Sequence, residues 1–200
     1  MAHEDHIAGE IELEDDEERL DPEQQARRTA ALRLVRKYGD PSLRSRAREV
    51  EVFDERLADE VRRMGEIMDD AYGIGLAAPQ LGVMHRVLVY RVEPDSPVNA
   101  LINPELEWSG RETETGDEGC LSLPGVLVEV DRPVHVRVRA QDERGEPMLI
   151  EASGLEARVI QHEMDHLDGV LILDRTTREQ RKDAMRTLRE TLDAPLGATA

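Results

Sequence analysis

His162 and His166 stand four positions apart with Glu163 beside the first, a His-Glu-x-x-His pattern near the C-terminal end of the chain. On a helix, residues i and i+4 share one face one turn apart, so the two imidazoles could hold one metal ion. Glu163 would then lean towards water in the ion's open position and serve as general base. The flanks favour a helix. Ser153 with Glu156 three residues later has the form of a capping box, and Gly169 stands where the helix would stop. The competing reading of the motif is a chance match on a solvated helix.

Such a helix needs a third protein ligand. No His follows His166, which leaves Asp168, Asp174 and Glu179 downstream, or the sole thiol, Cys120, upstream. Cys120 sits in Glu118-Gly119-Cys120-Leu121-Ser122, a turn-forming stretch that could present it to the helix. A lone cysteine is more often a small buried hydrophobe, so the residues alone leave both roles open.

The elements that must position these groups can be read in order. Residues 24–38 suit a short helix or a strand, and Gly39-Asp40-Pro41 marks a turn. Residues 54–71 predict a helix capped by Asp54, with Leu57, Val61, Met64, Ile67 and Met68 at helical spacing. Gly73, Gly75 and Ala78 superficially match a dinucleotide-binding fingerprint. That fingerprint follows a strand and opens a helix, whereas this one follows a helix and runs into Pro79. The glycines either let the backbone approach something closely or turn the chain. Strands are expected at 86–92, 98–103, 105–109, 126–130, 134–141 and 148–152, with a hairpin turn at Glu143-Arg144-Gly145. His85 and His135 read as structural or solvated. A last helix at 177–192 carries Ala184, Leu188 and Leu192 on one stripe and Arg178, Arg181, Lys182, Arg186 and Arg189 elsewhere.

Composition bounds the function classes. The chain of 200 residues carries 26 Lys+Arg against 44 Asp+Glu, a net charge of −18, which offers no overall basic footprint for DNA. Residues 1–24 hold eleven acids and one base, Arg19, so they read as an acidic, disordered tail in which His3 and His6 are solvated. One cysteine excludes an internal disulfide framework. No apolar run approaches membrane-spanning length, and the N-terminus lacks a secretory pattern. A cytoplasmic enzyme is expected. Its divisions would be the tail at 1–24, a catalytic domain at 25–176 and a C-terminal helix with a short tail at 177–200.

Three stretches in order, Gly73-Ile74-Gly75-Leu76-Ala77-Ala78-Pro79-Gln80, Glu118-Gly119-Cys120-Leu121-Ser122 and Gln161-His162-Glu163-Met164-Asp165-His166-Leu167-Asp168-Gly169, resemble the three motifs of the peptide deformylases. Tyr38-Gly39-Asp40-Pro41-Ser42-Leu43-Arg44 is similar to the family's start, and the likeness spans roughly residues 32–175. The resemblance implies an α+β fold, with partly antiparallel sheets around a central helix that carries the metal motif. It implies Cys120, His162 and His166 as ligands of one divalent ion, Fe²⁺ in the cell with Zn²⁺, Ni²⁺ or Co²⁺ able to substitute. It implies Glu163 as proton carrier, the Gln80 amide and the Leu121 N–H as donors to the developing oxyanion, and Ile74 and Gly75 as contacts to substrate.

The implied reaction removes the formyl group from N-formylmethionyl nascent peptides and releases formate. Leu155 and Val159 would line an apolar pocket, and Glu118 would pair with Arg132. The basic last helix could dock on the ribosome. A peptidase cutting internal bonds leaves Cys120 and Gln80 without roles, and a non-catalytic binding module would require a missing catalytic residue.

Overall fold

Asp21 accepts hydrogen bonds from the N–H groups of Glu23 and Gln24, and the Gln24 side chain bonds back to the Asp21 N–H. Helix α1 (Pro22–Leu34) therefore starts on a capping box with proline in its first turn. The computed structural model describes residues 20–193. The stretch left open between helix and strand is thus a helix followed by extended Val35. The expected end of the tail at residue 24 falls inside α1, and the expectations for His3, His6 and residues 1–19 lie outside the described residues.

Asp54 caps helix α2 (Glu55–Asp70) through the N–H groups of Arg56 and Leu57. The chain then passes into strand β1 (Gly75–Ala77), an order that excludes the dinucleotide-binding reading. Strands β2 (Val87–Tyr90), β3 (Asn99–Ser109), β6 (His135–Gln141) and β7 (Pro147–Ser153) join β1 in one antiparallel sheet ordered β1-β2-β3-β6-β7. Strands β4 (Thr113–Glu118) and β5 (Val128–Pro133) form a separate antiparallel pair. The architecture is α+β, as expected.

The main sheet is covered on both faces. Val87, Val89 and Ile102 pack with Met64, Ile67 and Met68 of α2. Leu88, Tyr90 and Leu101 pack with Ala157, Ile160 and Leu167 of helix α3 (Gly154–Leu167). Burial on both sides explains why β2 reads as an unbroken apolar run. A third cluster joins Val128 and Val130 of β5 to Ala184 and Leu188 of helix α4 (Arg178–Asp193). The side chain of Leu192 lies outside the description.

Several expectations change in detail. The strands expected at 98–103 and 105–109 merge into one strand, β3, which starts at Asn99 and whose register shifts between Ile102 and Glu105. Asn103 sits there at φ 52°, and its side chain bonds Val50 N–H and Val50 C=O, so the irregularity is held rather than broken at Pro104. The strand expected at 126–130 begins at Val128, because Val126 still closes a turn onto Leu123. Strand β4 was not foreseen. The Ser153 capping box does not form: no side-chain bond caps α3. Ser153 Oγ instead meets His135 Nδ1 at 2.8 Å, and Glu156 accepts from the Tyr90 hydroxyl at 2.9 Å. Gly169 does end the helix, at φ +72°, and a Cβ there would come within 2.8 Å of the Arg44 backbone.

Candidate metal centre and active site

Helix α3 presents His162 and His166 to the loop that follows β4, and there they meet Cys120. Ligand atoms of the three lie within 4.8 Å of one another, with Cys120 Sγ 3.3 Å from His166 Nε2. The rings of His162 and His166 stand edge to face, 5.0 Å apart. The downstream carboxylates left open as third ligands do not join them. Asp168 pairs with Arg86 at 2.7 Å, and Asp174 pairs with Arg44.

A metal fits this donor set. His162 Nδ1 is engaged by Glu118 Oε2 at 3.0 Å, which leaves Nε2 as its ligand atom and sets the ring's orientation. Thiolate and two neutral imidazoles around a divalent ion leave a net charge of +1, and the soft sulfur suits Fe²⁺, Zn²⁺, Co²⁺ or Ni²⁺. Burial works against a charged His162, yet hydrogen bonding to Cys120 and Glu118 holds it well above the usual imidazole range. His166, buried and facing His162, is pushed well below that range.

Glu118 anchors the site from below. Arg132 grips it with two bonds of 2.9 Å, and Arg158 adds a third of 2.9 Å. Burial would raise this carboxyl, but Arg132 and His162 hold it well below the ordinary range. The expected Glu118–Arg132 pair is thus present, within a larger network that sequence reasoning missed. Arg132 also binds Asp165 at 2.7 Å, and Asp165 binds Arg175. Arg158 further reaches the carbonyls of Val130 and Glu114, tying α3 to both strands of the β4–β5 pair. Arg158 lies between Leu155 and His162 on α3, and nothing in its local spacing marks it as an anchor.

Glu163 is buried beside β1, and its Oε2 has no hydrogen-bond partner among the described residues. Burial pushes its carboxyl up to about 7. A Cβ on Gly75 would lie 2.5 Å from Glu163 Oε1, so the glycine makes room for the carboxylate. Gln80 is fixed by its own turn: its Oε1 accepts from Ala77 N–H at 2.8 Å, which aims the amide nitrogen at Ser122 Oγ (3.3 Å) and Cys120 Sγ (3.7 Å). The Leu121 N–H finds no acceptor among the described residues.

The segment after α1 braces both groups: Arg36 N–H donates to Gln80 C=O at 2.6 Å, Lys37 Nζ to Leu121 C=O at 2.7 Å and Tyr38 N–H to Ser122 C=O at 2.9 Å. A pocket of about 650 Å³ opens over these groups, lined by Ile74, Gly75, Leu127, Leu155 and Val159 among others. The structure therefore gathers all eight residues singled out from the sequence, Ile74, Gly75, Gln80, Cys120, Leu121, His162, Glu163 and His166, around one centre. Such an arrangement can hold an ion, move a proton at Glu163 and donate hydrogen bonds to an anionic oxygen.

Known proteins share this pattern. The polypeptide deformylase family model matches residues 32–182. A peptide deformylase of Acidothermus cellulolyticus is 50% identical over 160 residues, covering 80% of this chain and 87% of the relative. One of Clostridium botulinum is 50% identical over 150 residues, covering 74% and 99%. Among solved structures, the Thermotoga maritima peptide deformylase superposes with TM-score 0.69 at 47% identity, over 72% of this chain and 96% of that one. The Plasmodium falciparum enzyme gives TM-score 0.75 at 36% identity, over 79% and 94%. With the motif residues assembled at one site and these likenesses spanning most of its length, the chain belongs to the polypeptide deformylase family.

Proposed function

We propose that the chain hydrolyses the N-formyl group from the N-terminal methionine of newly made peptides, with Cys120 Sγ, His162 Nε2 and His166 Nε2 holding one divalent ion. The observation that carries this reading is the convergence of that donor set with Glu163, Gln80 and the free Leu121 N–H in one pocket. When bound, the ion supplies Lewis acidity towards water and carbonyl oxygen.

The chain's own residues do the rest. Glu163, unpartnered at Oε2 and buried, accepts a proton from the attacking water and returns it to the departing amine, so formamide and water become formate and a free N-terminus. Gln80 Nε2 and Leu121 N–H donate to the formyl oxygen as its negative charge grows. The free side of β1, an edge strand of the main sheet, lies beside the peptide near Ile74 and Gly75 and reads backbone shape. Leu127 and Leu155, 40% and 39% exposed, supply apolar surface for the methionine side chain.

Fe²⁺ is the ion proposed for the cell, with Zn²⁺, Ni²⁺ or Co²⁺ able to replace it, because the thiolate-imidazole set admits all four. Among the described residues no helix is long and apolar enough to cross a membrane, which agrees with the cytoplasmic setting proposed here. The exposed basic side chains of α4, Arg178, Lys182 and Arg189 among them, are proposed to contact the ribosome. Loss of ribosome co-sedimentation on reversing these charges, with peptide turnover unchanged, tests that part.

The reaction is tested by formate release from a formyl-Met peptide, using protein purified without oxygen and with bound metal counted in the same sample. Glu163→Ala is expected to abolish release while keeping about one ion per chain. A fully metallated wild type that releases no formate would overturn the assignment.

A further inference from the structure

On the side of the molecule behind the Gln80 turn, α1 and α2 enclose a groove of about 1020 Å³. Its floor is apolar, built from Leu34, Met64, Ile67, Ala78, Leu81 and Val83, and Leu34 is 44% exposed there. Its rim carries Arg33, Arg36, Arg56 and Arg63, all exposed. The two acids in the wall are matched elsewhere, Asp59 with Arg62 at 2.8 Å and Glu60 with His85 at 2.9 Å. Arg36 reaches Asp40 only at 3.8 Å, and Arg33, Arg56 and Arg63 have no ion-pair partner among the described residues. An apolar trough edged by four guanidinium groups fits a segment that alternates apolar and acidic side chains.

We propose that this groove binds the chain's own acidic N-terminal segment, centred on Glu10-Ile11-Glu12-Leu13-Glu14. Residues 1–19 carry nine acids against Arg19 alone, and Ile7, Ile11 and Leu13 are interspersed among the acids. A purely solvating acidic spacer has no use for Ile11 and Leu13, whereas the groove floor does. Reach is sufficient. The groove lies at the C-terminal end of α1, whose 13 residues span about 20 Å. Seven extended residues before Leu20 cover about 23 Å, which brings Leu13 level with Leu34 and Arg36. The acidic segment precedes residue 32, where the family match begins, whereas the groove residues from Arg33 to Val83 lie within the match, so the proposed ligand is an addition seated on the shared fold. The site is not remote from the chemistry: Ala78 and Leu81 of the floor flank Gln80.

The test is nuclear magnetic resonance on the full-length, ¹⁵N-labelled chain, comparing wild type with R33E/R56E/R63E. Docking predicts that backbone resonances of residues 10–14 move in the triple variant. It also predicts that raising NaCl to about 0.5 M moves them the same way in wild type, because screening weakens the ion pairs, and leaves the variant unchanged. E12R/E14R, which leaves residues 20–193 unchanged, should shift the resonances of 78–83. Segment resonances that coincide in wild type and triple variant at low salt would overturn the proposal. So would sedimentation showing a dimer that dissociates in the triple variant, because the segment would then occupy the groove of a second copy.

Discussion

Glu163 combines three properties that a proton carrier needs: it is buried, it has one oxygen free, and its proton affinity is raised to about 7. The same burial has a thermodynamic signature. With its pKa at about 7 in the folded protein against an ordinary value of 4.5, the native state binds more protons than the unfolded chain between those values. The contribution of Glu163 to the stability of the metal-free protein therefore falls as pH rises from 4.5 through 7. The difference between the two values is worth about 3 kcal/mol, or roughly 6–12 °C in Tm for a chain of this size. Chelator-treated Glu163→Gln should accordingly melt above chelator-treated wild type at pH 8, and the gap should shrink to a small fraction by pH 4.5. A gap of equal size at both pH values would remove burial as its cause. Glu118 contributes with the opposite sign: held low, it stabilises above the ordinary carboxylate range, and that stability is lost as pH falls. Gln80 tests the oxyanion side alone. Gln80→Leu is expected to lower kcat by about 10²–10³-fold with metal content unchanged, as read by turnover and metal analysis on one preparation.

At the scale of elements, the site is a meeting of one helix, one edge strand and one loop, and the segment 36–38 decides how firmly they meet. Arg36 and Tyr38 bond Gln80 and Ser122 through their backbones, so only Lys37 can be tested by substitution without altering the peptide chain. A hydrogen bond from a charged donor contributes about 1.5–3 kcal/mol. Lys37→Met should let the Leu121 loop relax, lowering kcat with KM and metal content held, and Lys37→Arg should restore most of the rate. Loss of metal in Lys37→Met would instead mean that the bond secures Cys120. What the sequence disclosed at this scale follows from locality. The ligand pair on α3, the Asp54 cap of α2 and the glycine end at Gly169 all announce themselves within a few residues. Strand β4 does not, because Thr113-Glu114-Thr115-Gly116-Asp117-Glu118 is largely solvent-facing and has no apolar alternation to read. The Ser153 box had the right spacing but lost to tertiary partners, His135 and Tyr90. Lys37 and Arg158 act across 84 and 40 residues of chain, a distance at which no local pattern carries a signal.

For the whole molecule, the donor set ties together parts that the chain keeps far apart. Cys120 belongs to the cluster that α4 and β5 build, whereas α3 packs on the main sheet. The Glu118 network already links them through Arg132 and Arg158. A bound ion adds a second link, and because the unfolded chain offers no assembled site, its binding free energy adds to folding. At free ion about 1,000-fold above Kd, the gain is about 4 kcal/mol, or roughly 8–16 °C in Tm. Chelation should lower wild-type Tm by that order, while Cys120→Ala should respond far less, since two imidazoles alone hold the ion weakly. The comparison also separates the two links. If Arg132→Met loses stability equally with and without chelator, the carboxylate network and the metal centre act independently. A larger chelator response in Arg132→Met than in wild type would instead show the ion compensating for the missing arginine, so that the two cross-links share one load. Glu118 contacts both Arg132 and the ligand His162, and the second outcome is the one expected.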